Sequence, residues 1–335
     1  MTSSRGKSIS TVLAILVSVI GTGVPTASAQ SGTRDLKEFV TQVVDIYHTV
    51  IGNKGYDSTF IAHPETKLVV TPRAIANGFG IYNNNTSGDV AYDAFKSSRR
   101  KLSLGADVGF SGLSAGFGVN PLKQNSSKRY RDHFYTFNFY GNRFCADALY
   151  EDNRSLDGTL RRQGEWTPLP EGVISHKSIS VNGYYVFNWE RFSYPAAFTQ
   201  SFIQKKSAGS LLGAVTYTGS RFRINPWELL DSETTEAGIN ILCLGAGYGY
   251  NLVTPHSWTI HISAIPAMGW FMPQASASLL AGTITGRVAV VKNFARDRIY
   301  ASFSAYEVGL LAFESTRFSY GQMLWDARFR LGFRF

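Results

Sequence analysis

Cysteine is scarce, with 2 in 335 residues, which excludes a scaffold built from disulfides. Charge is also sparse, at 17% of residues, and the mean hydropathy is −0.08. After Ile20 no segment offers the roughly 20 consecutive apolar residues that a helix needs to cross a bilayer, so a helical membrane protein is excluded. The six histidines include His48, His63, His133, His176 and His256, scattered without metal-ligand spacing, so neither a metal nor a cofactor is expected. What the chain does have is 44% hydrophobic and 14% aromatic side chains with 32 glycines. That excludes disorder and leaves a β-rich protein in which apolar and polar residues are mixed at short range.

Arg5 and Lys7 precede an apolar run from Ile9 to Ile20, and Ala27-Ser28-Ala29 supplies small residues for cleavage before Gln30. Residues 1–29 therefore read as a secretory signal peptide, the apolar run being too short for an anchor. Leu36, Phe39, Val40, Val43, Val44, Tyr47, Val50 and Ile51 then recur at helical spacing up to Gly52. Residues 30–62 are predicted to hold this amphipathic helix and a linker, with residues 63–335 forming the main domain.

From about residue 66 the period becomes two. Leu102, Leu104, Ala106, Val108 and Phe110 alternate with Lys101, Ser103, Gly105, Asp107 and Gly109, and Trp258, Ile260, Ile262 and Ala264 with Ser257, Thr259, His261 and Ser263. Twelve strands are predicted, at about 66–83, 100–110, 112–120, 131–141, 143–151, 177–190, 197–218, 237–252, 257–271, 278–293, 297–313 and 317–335. Most exceed the roughly 9 to 11 residues of a tilted membrane strand, whereas strands of soluble domains average nearer 5 or 6. Connections at 84–99, 121–130, 152–176 and 219–236 are long and alternate with short ones such as Ser111 and Asn142. This is the pattern of an all-β, transmembrane, antiparallel up-and-down β-barrel with both termini in the periplasm.

In the last strand Met323, Trp325, Ala327, Phe329, Leu331, Phe333 and Phe335 share one face, against Asp326, Arg328, Arg330, Gly332 and Arg334. A strand ending on an aromatic residue resembles the C-terminal strand, here Phe329, Leu331, Phe333 and Phe335, by which outer-membrane barrels are passed to their insertion machinery.

Four stretches carry a family resemblance: Gly55-Tyr56-Asp57-Ser58-Thr59-Phe60-Ile61, Gly183-Tyr184-Tyr185-Val186-Phe187-Asn188, Arg191-Phe192-Ser193-Tyr194-Pro195-Ala196-Ala197 and Gln204-Lys205-Lys206-Ser207-Ala208-Gly209-Ser210. With them the chain resembles a Bacteroidota outer-membrane barrel family catalogued as a domain of unknown function. The resemblance implies location and architecture and carries no catalytic residues.

Candidate chemistry is thin. Gly112-Leu113-Ser114-Ala115-Gly116 matches a nucleophile elbow, but it lies in an alternating strand where the required strand-to-helix turn is missing. His261 and Ser263 are two apart on a strand, so they share a face and the imidazole can reach the hydroxyl. One family of outer-membrane phospholipases uses such a pair on a twelve-stranded barrel; here the pair faces away from Ile260 and Ile262, into the lumen, and no orienting Asn or Asp follows from spacing. The bland reading is polar lumen lining. Cys145 and Cys243 fall in different strands, either bridged or separate. Gly245, Gly247 and Gly249 share one face, leaving space or allowing a close approach.

The net charge of +9 falls to +7 without Arg5 and Lys7. For an exported barrel that points to anionic lipid or solute, and nucleic acid is not expected as a partner. Arg287, Arg328, Arg330 and Arg334 either attract a small anionic solute into the lumen or pair with Asp107, Asp326 and other carboxylates in a plugged interior. The leading expectation is a barrel for solute passage or binding, or with a structural role. A barrel hydrolase using His261 and Ser263 and a soluble exported β-sandwich are its rivals.

Overall fold

Alternating apolar and polar residues drive the chain from Leu68 onward into long antiparallel strands. The computed structural model describes residues 55–64, 68–83, 94–97, 101–110, 112–120, 132–162, 164–225, 235–273, 279–294, 297–314 and 317–335. The predicted signal peptide, the predicted helix over Leu36 to Ile51 and the predicted loop 121–130 lie outside the described residues, as do 226–234 and most of 84–99.

The elements are β1 (Ile61–Ala62), β2 (Leu68–Asn83), β3 (Ala94–Ser97), β4 (Lys101–Phe110), β5 (Leu113–Val119), β6 (His133–Tyr140), β7 (Phe144–Arg162) and β8 (Glu165–Val186). They continue with α1 (Pro195–Phe198), β9 (Ile203–Gln204), β10 (Ala208–Ile224), β11 (Thr235–Val253), β12 (Trp258–Pro273), β13 (Leu279–Phe294), β14 (Ile299–Glu314) and β15 (Arg317–Arg334). Twelve of them, β2, β4 to β8 and β10 to β15, close into a ring in chain order, with β15 pairing back onto β2. An up-and-down barrel of twelve strands, not a β-sandwich, is the architecture. The short β3 adds a refinement. It pairs with β2 at Gly80 to Tyr82 and with β7 at Gly158 to Arg161, above the shorter β4, β5 and β6. The ring therefore narrows from twelve strands to ten at that end.

Pro72 is accommodated in β2 because pairing with β15 skips it, from Arg73 opposite Arg330 to Val70 opposite Phe333. Between β11 and β12 the ladder is interrupted near Pro266, and there the strands approach so closely that a Cβ on Gly247 would lie 2.1 Å from the Ala264 carbonyl oxygen.

Outward and inward faces separate cleanly. On β12, Ile262 and Met268 are 60% and 63% exposed whereas His261 and Ser263 between the outward residues are buried. Phe329 and Phe335 of the last strand are likewise exposed, as are Tyr135, Phe137, Tyr248 and Trp270, giving the apolar exterior of a barrel made for lipid.

Two predicted connections need correction. Residues 152–176 are not a loop: β7 runs on to Arg162, turns at Gly164 with φ +88°, and returns as β8 from Glu165. Register shifts between Asn153 and Gly158 exchange the two faces, so Leu156 and Leu160 point inward while Arg161 is exposed. A strand beyond the lipid zone keeps its apolar side inside and its charged side in water, the reverse of the period seen below. The loop 219–236 also contracts, because β10 extends to Ile224 and β11 begins at Thr235. The predicted strand 197–218 starts only at Ala208, and 177–190 ends at Val186. The segment between them, 187–207, folds into the barrel.

Candidate functional site

The inward segment leaves β8 at the short-turn end, which also carries the C-terminus. Its first turn is closed by the amides of Arg191 and Phe192 bonding to the Asn188 carbonyl. Pro195 pre-sets the single turn of α1, and Ala196 and Ala197 are small enough to lie flat against the wall. Phe192, Tyr194 and Phe202 are fully buried, the first two packing with Tyr140, Tyr184, Val186, Leu212 and Ile265 of the barrel and Phe202 against the rings of Tyr56 and His63. This segment is a plug. It returns through β9, which pairs with β1, and the Lys205 amide donates to the Phe60 carbonyl at 2.7 Å.

Gln204 knots the plug together. Its Nε2 donates to the carbonyls of Arg191 at 2.7 Å and Lys206 at 2.9 Å, and its Oε1 accepts the Ser193 amide at 2.8 Å and Asn251 Nδ2 at 3.1 Å. All four stretches that carried the family resemblance belong to this plug or to the chain that enters, leaves or clasps it. At the clasp, Asp57 accepts from the Thr59 amide and hydroxyl, which holds its carboxyl below the usual carboxylate range, and Arg191 stands 3.9 Å away.

Under the plug lies a chain of three side chains. His261 Nδ1 is 2.7 Å from Asn251 Oδ1, and His261 Nε2 is 2.9 Å from Ser263 Oγ. Asn251 and His261 are register partners on β11 and β12, three positions from the connecting turn on either side. Asn251 Nδ2 donates to the Ser193 carbonyl at 2.8 Å. A carbonyl only accepts, so the amide is oriented with Oδ1 toward the imidazole, and neutral His261 carries its proton on Nδ1. Nε2 is then the acceptor of the Ser263 hydroxyl proton. Gly249 allows the crowding: a Cβ there would lie 3.2 Å from Phe192 Cζ and 3.4 Å from His261 Cε1. The rings of Phe192, Tyr194 and Phe198 surround the imidazole at centroid distances of 6.1, 5.4 and 5.0 Å.

Beside the plug is a chamber of about 110 Å³, its wall mixing apolar groups with Arg73, Asp107, Asp147, Arg287, Asp326, Arg328 and Arg330. Arg73 pairs with Asp107 at 3.0 Å, and Thr136 bonds both. Arg287 reaches Asp147 at 3.3 Å and the Tyr184 hydroxyl, its guanidinium 4.9 to 6.0 Å from the rings of Tyr184, Tyr194, Phe198 and Tyr306. Arg328 pairs with Asp326 at 2.6 Å. Arg330 differs: it is 8% exposed, donates to Ser304 Oγ at 3.0 Å, and makes no direct ion pair among the described residues, with Asp107 and Asp326 acting on it from farther off. Arg334 binds the plug instead, through Gln200. The inward charges are thus mostly paired, with one guanidinium in surplus at the chamber. Toward the loop end the lumen is filled by Phe79, Leu160, Leu169, Phe222 and Phe271 and their neighbours.

Cys145 and Cys243 are both free and buried, in separate clusters, which decides against a bridge. Ser114 of the elbow-like motif sits in β5, where it accepts from Asn138 at 3.0 Å. Sequence reasoning missed Arg73, Asp147, Asn251 and Gln204. Each acts across strands, and only Asn251 carried a signal, as the last polar inward position before the β11–β12 turn.

No curated protein sequence matches the chain. Among solved structures it is similar to the beta domain of the Bordetella autotransporter Brka, at 11% identity and a TM-score of 0.41, covering 79% of this chain and 99% of that one. It is also similar to the translocator domain of the autotransporter NalP from Neisseria meningitidis, at 13% identity and a TM-score of 0.32, covering 90% and 98%. An anion-selective porin from Comamonas acidovorans follows at 10% identity and a TM-score of 0.25, covering 80% and 100%. Residues 55–335 match one family over the whole barrel and the strand that clasps its plug, and the chain belongs to that family, the Domain of unknown function (DUF4421).

Proposed function

We propose that the protein is an outer-membrane β-barrel, closed by its own plug, that binds a small anionic solute in the chamber beside that plug. The outer-membrane reading is supported by the closed ring, its lipid-facing exterior and the predicted export signal. Both termini then face the periplasm, the short-turn end being the periplasmic one, and the C-terminal strand ending on Phe335 is the segment read by the insertion machinery. The Bacteroidota origin rests on motif resemblance alone.

One observation carries the ligand: Arg330 is more than nine-tenths buried, lines the chamber, and has one hydroxyl where its buried neighbours have carboxylates. A guanidinium held this way favours a carboxylate or phosphate that can enter and leave. A plugged lumen also favours binding over free diffusion. Calorimetric titration of the detergent-solubilised protein with acetate and with inorganic phosphate tests this reading. Wild type binds one of the two and Arg330→Met weakens it by at least about tenfold, the value of one charge-assisted hydrogen bond. Equal heats from wild type and variant defeat the proposal.

A further inference from the structure

The chain Asn251–His261–Ser263 contributes nothing to the chamber, and anchoring the plug does not require all of it. Asn251 bonds the plug through Ser193 and Gln204. The Ser263 hydroxyl is directed at the unprotonated nitrogen of an imidazole whose other nitrogen is held by an amide, with the plug's Tyr194 hydroxyl beside it. Nucleophile, base and orienter thus stand in series at hydrogen-bonding distance, in the tautomer that nucleophilic catalysis needs.

We propose that Ser263, His261 and Asn251 form an occluded acyl-transfer site for an apolar carboxylic ester, which the plug covers and its withdrawal opens. The occupant's class follows from what lines the space. Phe192, Tyr194 and Phe198 pack in one cluster with Tyr140, Tyr184, Val186, Leu212 and Ile265, and their withdrawal bares that cluster as a surface for an acyl chain. Arg287, the register partner of Ser263 on β13, projects into the same interior and is the cation nearest in sequence register to an oxyanion formed there.

In the first step Ser263 Oγ bonds to the ester carbonyl carbon while its proton passes to His261 Nε2. The C–O bond to the alcohol then breaks, and the alcohol leaves with that proton. Water, deprotonated by His261 Nε2, attacks the acyl-serine, and the acid departs as Ser263 recovers its proton. Asn251 keeps the imidazole in register throughout and is a positioning residue.

An alkyl fluorophosphonate tests the site on the full-length protein in detergent, with tandem mass spectrometry locating the adduct. Gln204→Ala and Phe198→Ala loosen the plug by different routes, one removing the knot and the other an overlying ring. The expected result is an adduct on Ser263, slow in wild type and at least about tenfold faster in either variant as the open population rises. Adding His261→Ala lowers the labelling rate by about 10²-fold or more. Hydrolysis of p-nitrophenyl octanoate follows the same order. The proposal is overturned if Ser263 stays unlabelled in wild type and in whichever plug variants keep the heat-modifiable migration of a folded barrel. It is equally overturned if labelling is indifferent to His261. Neither result depends on Arg330, so the site and the anion chamber stand or fall separately.

Discussion

Arg334, the penultimate residue of the chain, donates through Nη2 to both the backbone carbonyl and the side-chain Oε1 of Gln200, each at 3.1 Å. Gln200 sits in the plug with φ +58°, a left-handed conformation that a non-glycine residue holds only when its surroundings impose it. The last strand of the barrel therefore locks the plug. Assembly order follows from this: the lock closes only once the C-terminal strand is in place.

Replacing Arg334 with Met is expected to leave both Gln200 acceptors without their cation while the barrel stays closed. At about 1.5–3 kcal/mol for bonds to a charged group, amide exchange in residues 195–204 should quicken by about tenfold to a hundredfold. Hydrogen-exchange mass spectrometry reads this directly. Unchanged protection would mean that the apolar packing alone holds the plug.

Asp147 accepts from Arg287, from Asn182 at 2.7 Å and from the Tyr140 hydroxyl at 3.1 Å. Removing one charge leaves the other buried, so Asp147→Asn is expected to destabilise the barrel by about 3–5 kcal/mol. Combining Asp147→Asn with Arg287→Met should recover part of that loss. A urea titration in detergent, followed by gel mobility, measures both; additive losses in the double variant would show that the pair is not coupled.

At Gly247 the facing strand leaves no room for a side chain, since a Cβ would lie 2.7 Å from the Ile265 Cα as well as against the Ala264 carbonyl. Gly247→Val is expected to cost at least about 1–3 kcal/mol through displaced backbone and to slow barrel closure. Gly286, where a Cβ meets nothing within 4 Å, is the control: Gly286→Val should fold at the wild-type rate.

Asp57 gives a dependence on acid. Its carboxyl is held below its ordinary value of 3.8 by the Thr59 bonds first and by Arg191 less, so its contribution to the clasp is full above that pH. It fades as the pH falls through the lowered value. Asp57→Asn should therefore loosen residues 56–62 at neutral pH, by hydrogen exchange, and the difference from wild type should shrink as the pH falls below 3.8 and through the lowered value. A difference that persists in acid would assign the clasp to something other than the carboxylate.

Much of the barrel is legible in residue order because lipid contact forces a rule on every second position. Ile260, Ile262 and Met268 must face out, which sends His261 and Ser263 inward whatever the neighbouring strands do. The same rule broke at Asn153 to Gly158, where a register shift swaps the faces. It broke again at 187–207, where residue order assigns Phe198 to a strand and Phe192 and Tyr194 to the connection before it, yet all three find their apolar surroundings inside the barrel.

Residue order by itself determined the barrel, a strand count of about twelve and the inward faces of Asp107, Arg287, Asp326, Arg328, Arg330 and Arg334, since alternation is a property of consecutive residues; the ring closure decided twelve. Only the tertiary structure decided what those inward groups meet. The pairing of Arg287 with Asp147 joins residues 140 positions apart, and Asn251 reaches His261 only because β11 and β12 lie in one particular register. A hydrogen bond between strands depends on register and closure, which no local pattern encodes. That is why the plug, its lock at Arg334 and the serine beneath it emerge only when the ring is closed.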